Sequence, residues 1–324
     1  MSTRTRDVLY REDAVERAER IFEVSYALDV EFEQGQDAYS GHTRLSFRLL
    51  ETTAPLFLDF TGSVTSMSIN GVVVEPDHRV HRLWLAPDLL RTRNSVSIEY
   101  RNAFDATGDG FHHFVDPEDG LEYVYTNLEP FSAHRLFPCF DQPDIKATYQ
   151  LGVNAPADWR VISAETAGAP TPLEDGRRRH EFKRTPRFST YLFSLVAGPY
   201  ERVGTIHDGI PLGLHGRRSM RRELERAADE LFELTAQGLD YYRELFGQPF
   251  PFSKYDQVFV PEFNAGAMEN VGAVTFNDSF IFRDPPTYGQ RLLRGEVVLH
   301  ELAHMWFGDL VTMRWWDDLW LNET

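Results

Sequence analysis

The chain has 324 residues, 42% hydrophobic and 13% aromatic, which is enough apolar material for large cores and excludes disorder as the default state. Its formal charge of −17 argues against nucleic acid and against an anionic membrane surface as partners. No stretch approaches the length of a membrane span, and the polar Met1–Tyr10 segment lacks the apolar run of a secretory signal.

The length suggests two domains. Phe22, Val24, Tyr26, Leu28, Val30 and Phe32 alternate with polar neighbours, the pattern of a long half-buried strand. Leu45, Phe47 and Leu49 repeat the pattern, and Asn70-Gly71 between Met67–Ile69 and Val72–Val74 is a hairpin signal. Val96, Ile98 and Tyr100 alternate again, and strands with regular turn signals continue to about Tyr200. That spacing reads as an antiparallel β-sandwich or saddle over residues 1–200. The lone Cys139, in Phe137-Pro138-Cys139-Phe140, cannot form an intramolecular disulfide and is expected to be a buried, inert thiol. A reducing cytoplasm is the simplest reading. Thirty arginines against three lysines read as a genome-composition effect without functional content.

The character changes after Ala197-Gly198-Pro199-Tyr200. Residues 219–246 form a long amphipathic helix with the stripe Leu224, Ala227, Leu231, Leu234, Gly238, Tyr241 and Leu245, stopped by Gly247 and Pro249. Strands near Tyr255–Val260 and Ala273–Phe276 follow. The next helix carries Leu292, Leu293, Val297, Val298, Leu299, Leu302, Met305, Trp306 and Phe307, so it is expected to be buried nearly all round.

That helix holds His300-Glu301-Leu302-Ala303-His304, and Glu323 comes later. Histidines at i and i+4 share a helix face roughly 5–6 Å apart, close enough to ligate one metal ion. Glu301 sits beside that face. Two neutral imidazoles and a carboxylate favour zinc, and three protein ligands leave the fourth position open, as in catalytic sites. The structural alternative is a pair of hydrogen-bonded core histidines. Glu296, four residues before His300, reads as outer shell or structural, and His112-His113 is not expected to share a metal because neighbours on a strand point apart. Trp315, Trp316 and Trp320 read as core, and Asp317 or Asp318 as the cap of the helix presenting Glu323.

Four segments together resemble the aminopeptidase N family of zinc metallopeptidases, the gluzincins. They are Gly266-Ala267-Met268-Glu269-Asn270, His300 to Gly308, Trp315 to Glu323, and Asn127-Leu128-Glu129-Pro130 with Phe137 to Asp141. The resemblance implies an α+β chain, in which the β-sandwich or saddle domain is followed by the first half of a thermolysin-like catalytic domain over 201–324. It implies one zinc ion on His300, His304 and Glu323, with Glu301 as the general base that deprotonates the zinc-bound water. Glu269 and Glu129 would bind the free α-ammonium of a peptide, with Asn127 beside them where many relatives have Gln. Gly266 and Ala267 would line the peptide by their backbone as an edge strand, and Met268 would line the pocket for the first side chain. Members of the family continue past the position of Glu323, with a tyrosine that stabilises the tetrahedral intermediate. The resemblance therefore implies that the chain as given is a truncated part with little activity of its own, unless a partner chain supplies the missing half. Two other functions stay open: a non-catalytic zinc-binding fragment, and a zinc epoxide hydrolase of the same superfamily, which Glu129 disfavours because that branch carries Gln there.

Overall fold

In this computed structural model, which describes residues 6–323, the alternating segments of the first 200 residues pair into one large and two small sheets. Residues 1–5 of the polar N-terminal segment lie outside the described residues. The large sheet has eight strands, in the order Thr171–Pro172, Arg178–Glu181, Ala147–Ala155, Ile21–Glu31, Ala38–Leu49, Arg93–Ala103, Ser63–Ile69 and Val72–Val73. Its one parallel pairing joins Ile21–Glu31 to Ala147–Ala155. Asn70 and Gly71 both take positive φ, 52° and 83°, the geometry that lets a two-residue turn match strand twist. Burial follows the expected alternation from Val24 to Val30 but not at Phe22. Glu23 sits at φ 54° in a register shift between Phe22 and Ser25, which rotates Ile21 inward and leaves Phe22 half-exposed beneath the Arg48 guanidinium.

A four-stranded sheet (Arg160–Ser163, Leu195–Gly198, Glu122–Asn127, Gly110–Val115) completes the sandwich, and a three-stranded one (Leu56–Asp59, Arg82–Leu85, Asp77–Arg79) flanks it. Cys139 is buried and unpaired as expected, with burial pushing its thiol pKa well up. Helix α1 (Arg11–Arg20) precedes the first strand.

The second unit is built on a mixed five-stranded sheet, ordered Glu201–His207, Ile210–Gly216, Tyr255–Val260, Ala273–Asn277 and Ala267–Met268. Its central strand is buried at every position because both faces are covered. Val258 and Val260 join the core of the N-terminal sandwich, whereas Tyr255 and Phe259 join the core formed with helices α2 (Arg221–Phe246) and α3 (Tyr288–His304). The period-2 alternation of one strand thus welds the two units together. A short helix α4 (Trp320–Glu323) ends the described chain. No helix among the described residues is long and apolar enough to cross a membrane.

The stripe of α2 differs from the expected one in its second half. Leu224, Ala227, Leu231 and Gly238 are buried, but Tyr241 and Leu245 are 62% and 58% exposed. The inward face runs instead through Thr235, Leu239, Tyr242 and Phe246, which keeps the 3.6-residue period where the expected stripe drifted by one position. Gly238 is where α3 crosses: a Cβ there would lie 2.7 Å from methyls of Leu299 and Leu302. Overpacking of this kind costs roughly 1–3 kcal/mol. The hydroxyl of Tyr242 donates to the Leu299 carbonyl at 3.0 Å, fixing α3 against α2.

Helix α3 begins in a capping box between Thr287 and Gln290. It is not buried all round: Leu292 and Leu293 are exposed, and the covered face carries Arg294, Val298, Glu301, Leu302 and His304. Trp306 is buried, its Nε1 donating to the carbonyls of Gln248 and Pro249 at 3.2 Å, while Phe307 and Trp320 are about half exposed. Trp316 packs edge-on against Tyr191 of the first unit. Asp317 lies within the single turn Trp316–Asp318 and pairs with Arg11 of α1 at 2.8 Å.

Candidate metal and substrate site

Helix α3 ends by pointing His300 and His304 toward α4. His304 Nε2 lies 3.0 Å from His300 Nε2, which in turn lies 3.2 Å from a carboxylate oxygen of Glu323. One ligand atom from each of the three falls within 4.8 Å of the others. For zinc held at about 2.0–2.1 Å by each donor, tetrahedral angles put neighbouring donors roughly 3.3–3.4 Å apart. The spacing therefore fits one ion. His304 Nδ1 donates to the Phe307 carbonyl at 3.0 Å, which fixes the tautomer that leaves the Nε2 lone pair free. Gly308, at φ 130°, makes room for this: a Cβ there would sit 3.1 Å from that Nδ1.

The same atoms can also share protons. The hydrogen bond to Glu323 raises the His300 pKa and lowers that of Glu323. Burial and the neighbouring His300 lower His304. This sharing is the hydrogen-bonded histidine pair of the structural alternative, but it accounts for only part of the cluster.

The rest is a surplus of negative charge. Glu301 is buried on α3 with Oε2 unpartnered, and Glu269 is buried after the edge strand with Oε1 unpartnered. An oxygen of each lies within 4.8 Å of the other and of a His304 nitrogen. Burial, then the charges of Glu269, Glu323 and Glu129, push Glu301 well above the ordinary carboxylate range. Burial and Glu323 push Glu269 up to about 7, and burial with Glu269 and Glu323 pushes Glu129 up to about 8. Among the described residues, no arginine or lysine pairs with any of these four glutamates. A cluster like this is stabilised by cations that arrive from outside the chain.

Each carboxylate is delivered by a different element. Glu129 follows the strand Glu122–Asn127 of the N-terminal unit, Glu269 follows Ala267–Met268, and Glu323 ends α4. Ala267–Met268 pairs with Ala273–Asn277 on one side only and is an edge of its sheet, with Gly266 exposed and Met268 buried. Asn270 closes the turn after it, donating from its side chain to Thr275 Oγ1 at 3.0 Å.

Asn127 ends the strand that leads to Glu129. Its amide donates to the Gly108 carbonyl at 3.0 Å and faces Asp109 Oδ1 at 3.3 Å, so its donors hold the 107–109 loop. His112 and His113 point apart as expected, toward Glu262 and Glu122. Three residues of the site region were not singled out from sequence. Tyr191 of the N-terminal unit and Tyr255 of the central strand are buried beside the carboxylates; burial, then Glu269 for the first and Glu301 for the second, raise their hydroxyl pKa values. Asp309, just past Gly308, is fully buried with neither carboxylate oxygen hydrogen-bonded, and burial followed by Glu269 raises its pKa. The sequence signal for Asp309 was its place in the run that follows the second histidine.

Comparison with known proteins agrees with this layout. The Peptidase M1 N-terminal domain matches residues 22–192, and the Peptidase family M1 domain matches residues 230–324. An Aminopeptidase N of Streptomyces lividans is 43% identical over 98% of this chain, which spans 37% of that protein's length. An Aminopeptidase N of Acetobacter pasteurianus is 34% identical, with 82% of this chain and 76% of the relative aligned. A Glutamyl aminopeptidase of Bos taurus is 29% identical over 93% of this chain and 33% of its own length. With both domains matched in order around a two-histidine, four-glutamate centre, the chain belongs to peptidase family M1.

Proposed function

We propose that the centre is that of a one-zinc aminopeptidase, which removes the first residue from peptides with a free N-terminus. The observation that carries this is the pairing of a three-donor cluster, His300, His304 and Glu323, with two further buried carboxylates, Glu301 and Glu269, each with one oxygen left without a hydrogen-bond partner. His300, His304 and Glu323 would hold the zinc ion, which would polarise the scissile carbonyl and make water acidic enough to give up a proton near neutral pH. Glu301 accepts that proton as the water oxygen attacks the carbonyl carbon. It returns the proton to the departing amide nitrogen as the C–N bond breaks, so one free amino acid and one shortened peptide leave. Glu269 and Glu129, lifted to about 7 and about 8, regain their charge when an α-ammonium sits between them. The edge strand Ala267–Met268 offers backbone groups to an extended peptide, and Met268 lines the space for its first side chain. Asn127 acts through the 107–109 loop that it holds. A cytoplasmic location fits the single buried Cys139.

An amino-acid hydroxamate tests this, because it offers an α-ammonium and a metal-chelating group at once. It should bind the zinc-loaded chain tightly, and its N-acetyl derivative at least about tenfold more weakly, the loss of one charge-assisted contact worth about 1.5–3 kcal/mol. Glu269→Gln should erase most of that discrimination. Equal binding of the free and acetylated forms would contradict the ammonium site.

A further inference from the structure

With arginine outnumbering lysine thirty to three, a lysine in this chain calls for a local reason. Two of the three have one. Lys254 is buried and donates to Asp256 Oδ2 and to the Gly272 carbonyl, both at 2.7 Å. Lys146, at the foot of the strand Ala147–Ala155 in the N-terminal unit, donates to the carbonyls of Asp309 and Leu310, both at 3.0 Å. A compact ammonium can gather two acceptors of one tight turn, where the planar fork of arginine is shaped for paired carboxylate oxygens. The third, Lys183, is exposed.

The turn that Lys146 grips lies directly behind the metal donors. The Phe307 carbonyl accepts from His304 Nδ1; the Asp309 amide donates to the His304 carbonyl at 3.0 Å; and the Gly308 amide donates to Val311 at 2.7 Å. On its outer side the turn is loosely covered, since Phe307, Leu310 and Val311 are each about half exposed. The N-terminal unit holds it from across the chain, 163 residues away in sequence.

We propose that Lys146 is a positioning residue for the metal centre: its ammonium, held by the Asp309 and Leu310 carbonyls, fixes the turn whose Phe307 carbonyl sets the tautomer and tilt of His304. The N-terminal domain thereby takes part in metal binding without contributing a ligand. The proposal rests on the metal reading above only for its zinc arm.

The test uses the whole chain labelled with 15N-histidine. In the metal-free parent, long-range 1H–15N spectra should show His304 as a single tautomer protonated at Nδ1. Lys146→Met, which keeps the stem and removes the ammonium, should populate both tautomers. It should also weaken zinc binding, measured by competition with a chelating dye, by about tenfold, the lower end of what outer-shell losses cost. Lys183→Met should change neither. Ile98→Val, a small cavity in the distant eight-stranded sheet, matches a loss of thermal stability without touching the turn and should also change neither. If Lys146→Met does not fold, Lys146→Gln, with one donor group for two acceptors, should move both readouts in the same direction. A folded Lys146 variant with one His304 tautomer and parental zinc affinity would overturn the proposal. Failure of the parent itself to bind zinc would instead overturn the metal reading, while the tautomer would still decide the role of Lys146.

Discussion

The N-terminal domain buries His134 with Asp141 Oδ2 2.8 Å from one ring nitrogen and Asp7 Oδ1 3.1 Å from the other. Next to it Arg17 pairs with Asp59 at 2.7 Å and donates to Gln142 at 2.6 Å. The second domain buries Glu301 and Glu269 with one oxygen of each unpartnered and supplies no arginine or lysine to either. Both clusters mix histidine with acid in a low-dielectric setting, yet the first adds a paired arginine and the second, among the described residues, has no arginine or lysine beside its carboxylates. Buried charge is costly unless paired, so Glu301, Glu269 and Glu129 hold protons at raised pKa values until a cation from outside the chain meets them. The contrast sets a polar cluster that contains its own arginine pair against the cluster proposed as the binding centre.

The sharpest way to break the contrast is to exchange one atom in the second cluster. In a protein that carries the whole catalytic domain around this site, Glu301→Gln should lower hydrolysis of aminoacyl reporters by about 10²–10⁴, the usual cost of losing a general base, with zinc content unchanged. Near-normal turnover in this variant would remove Glu301 from the proton path. Next in size, His304→Ala should weaken zinc binding more than about a hundredfold, beyond the cost of an outer-shell loss. His134→Ala should leave zinc affinity intact but destabilise the fold by about 3–5 kcal/mol, the cost of opening a buried charged pair. If the two variants change places in either readout, the assignment of roles fails.

The smallest effect is in pH dependence, and it distinguishes the clusters by sign and by zinc. Glu269 and Glu129 titrate near 7 and 8 in the fold against 4.5 ordinarily, so the fold favours their protonated forms. That contribution is present below about pH 4.5 and is lost as pH rises through 8. Burial would lower His134, but its bonds to Asp141 and Asp7 outweigh that and raise it to about 9, so its contribution is complete below pH 6.5 and lost as pH rises through 9. Thermal stability of the metal-free chain should therefore fall from pH 5 to 9 in two overlapping parts. Glu129→Gln should flatten the first part in the metal-free chain, and His134→Gln the second part with or without zinc. A slope that neither variant alters would show that neither cluster controls it.

Much of this was legible in the sequence, and the rest was hidden for identifiable reasons. His300, Glu301 and His304 could be read because helical period places i and i+4 on one face, and Asn70-Gly71 because a two-residue turn is local chemistry. Phe22 misled because a single bulge at Glu23 reverses the facing of every residue before it. The second half of the α2 stripe misled because aromatic residues at 241 and 242 both looked apolar, and only Tyr242 meets Leu299. Trp306 is buried as its apolar run suggests, but the two carbonyls its indole finds in the turn after α2 could not be read from that run. Asn127 and Lys146 act on backbone carbonyls of loops distant in sequence, and no side-chain pattern announces a carbonyl. Lys146 holds the Asp309 and Leu310 carbonyls and Lys254 holds Asp256 and the Gly272 carbonyl, contacts that a residue count does not reveal.

X-ray absorption at the zinc edge, on the zinc-loaded chain and its His304→Ala form, tests the central claim most directly. The account predicts one zinc per chain with two imidazole nitrogens and oxygen donors near 2.0–2.1 Å, falling to one imidazole in the variant. An imidazole count that stays at two after His304→Ala would place the ion elsewhere in the molecule and contradict the account.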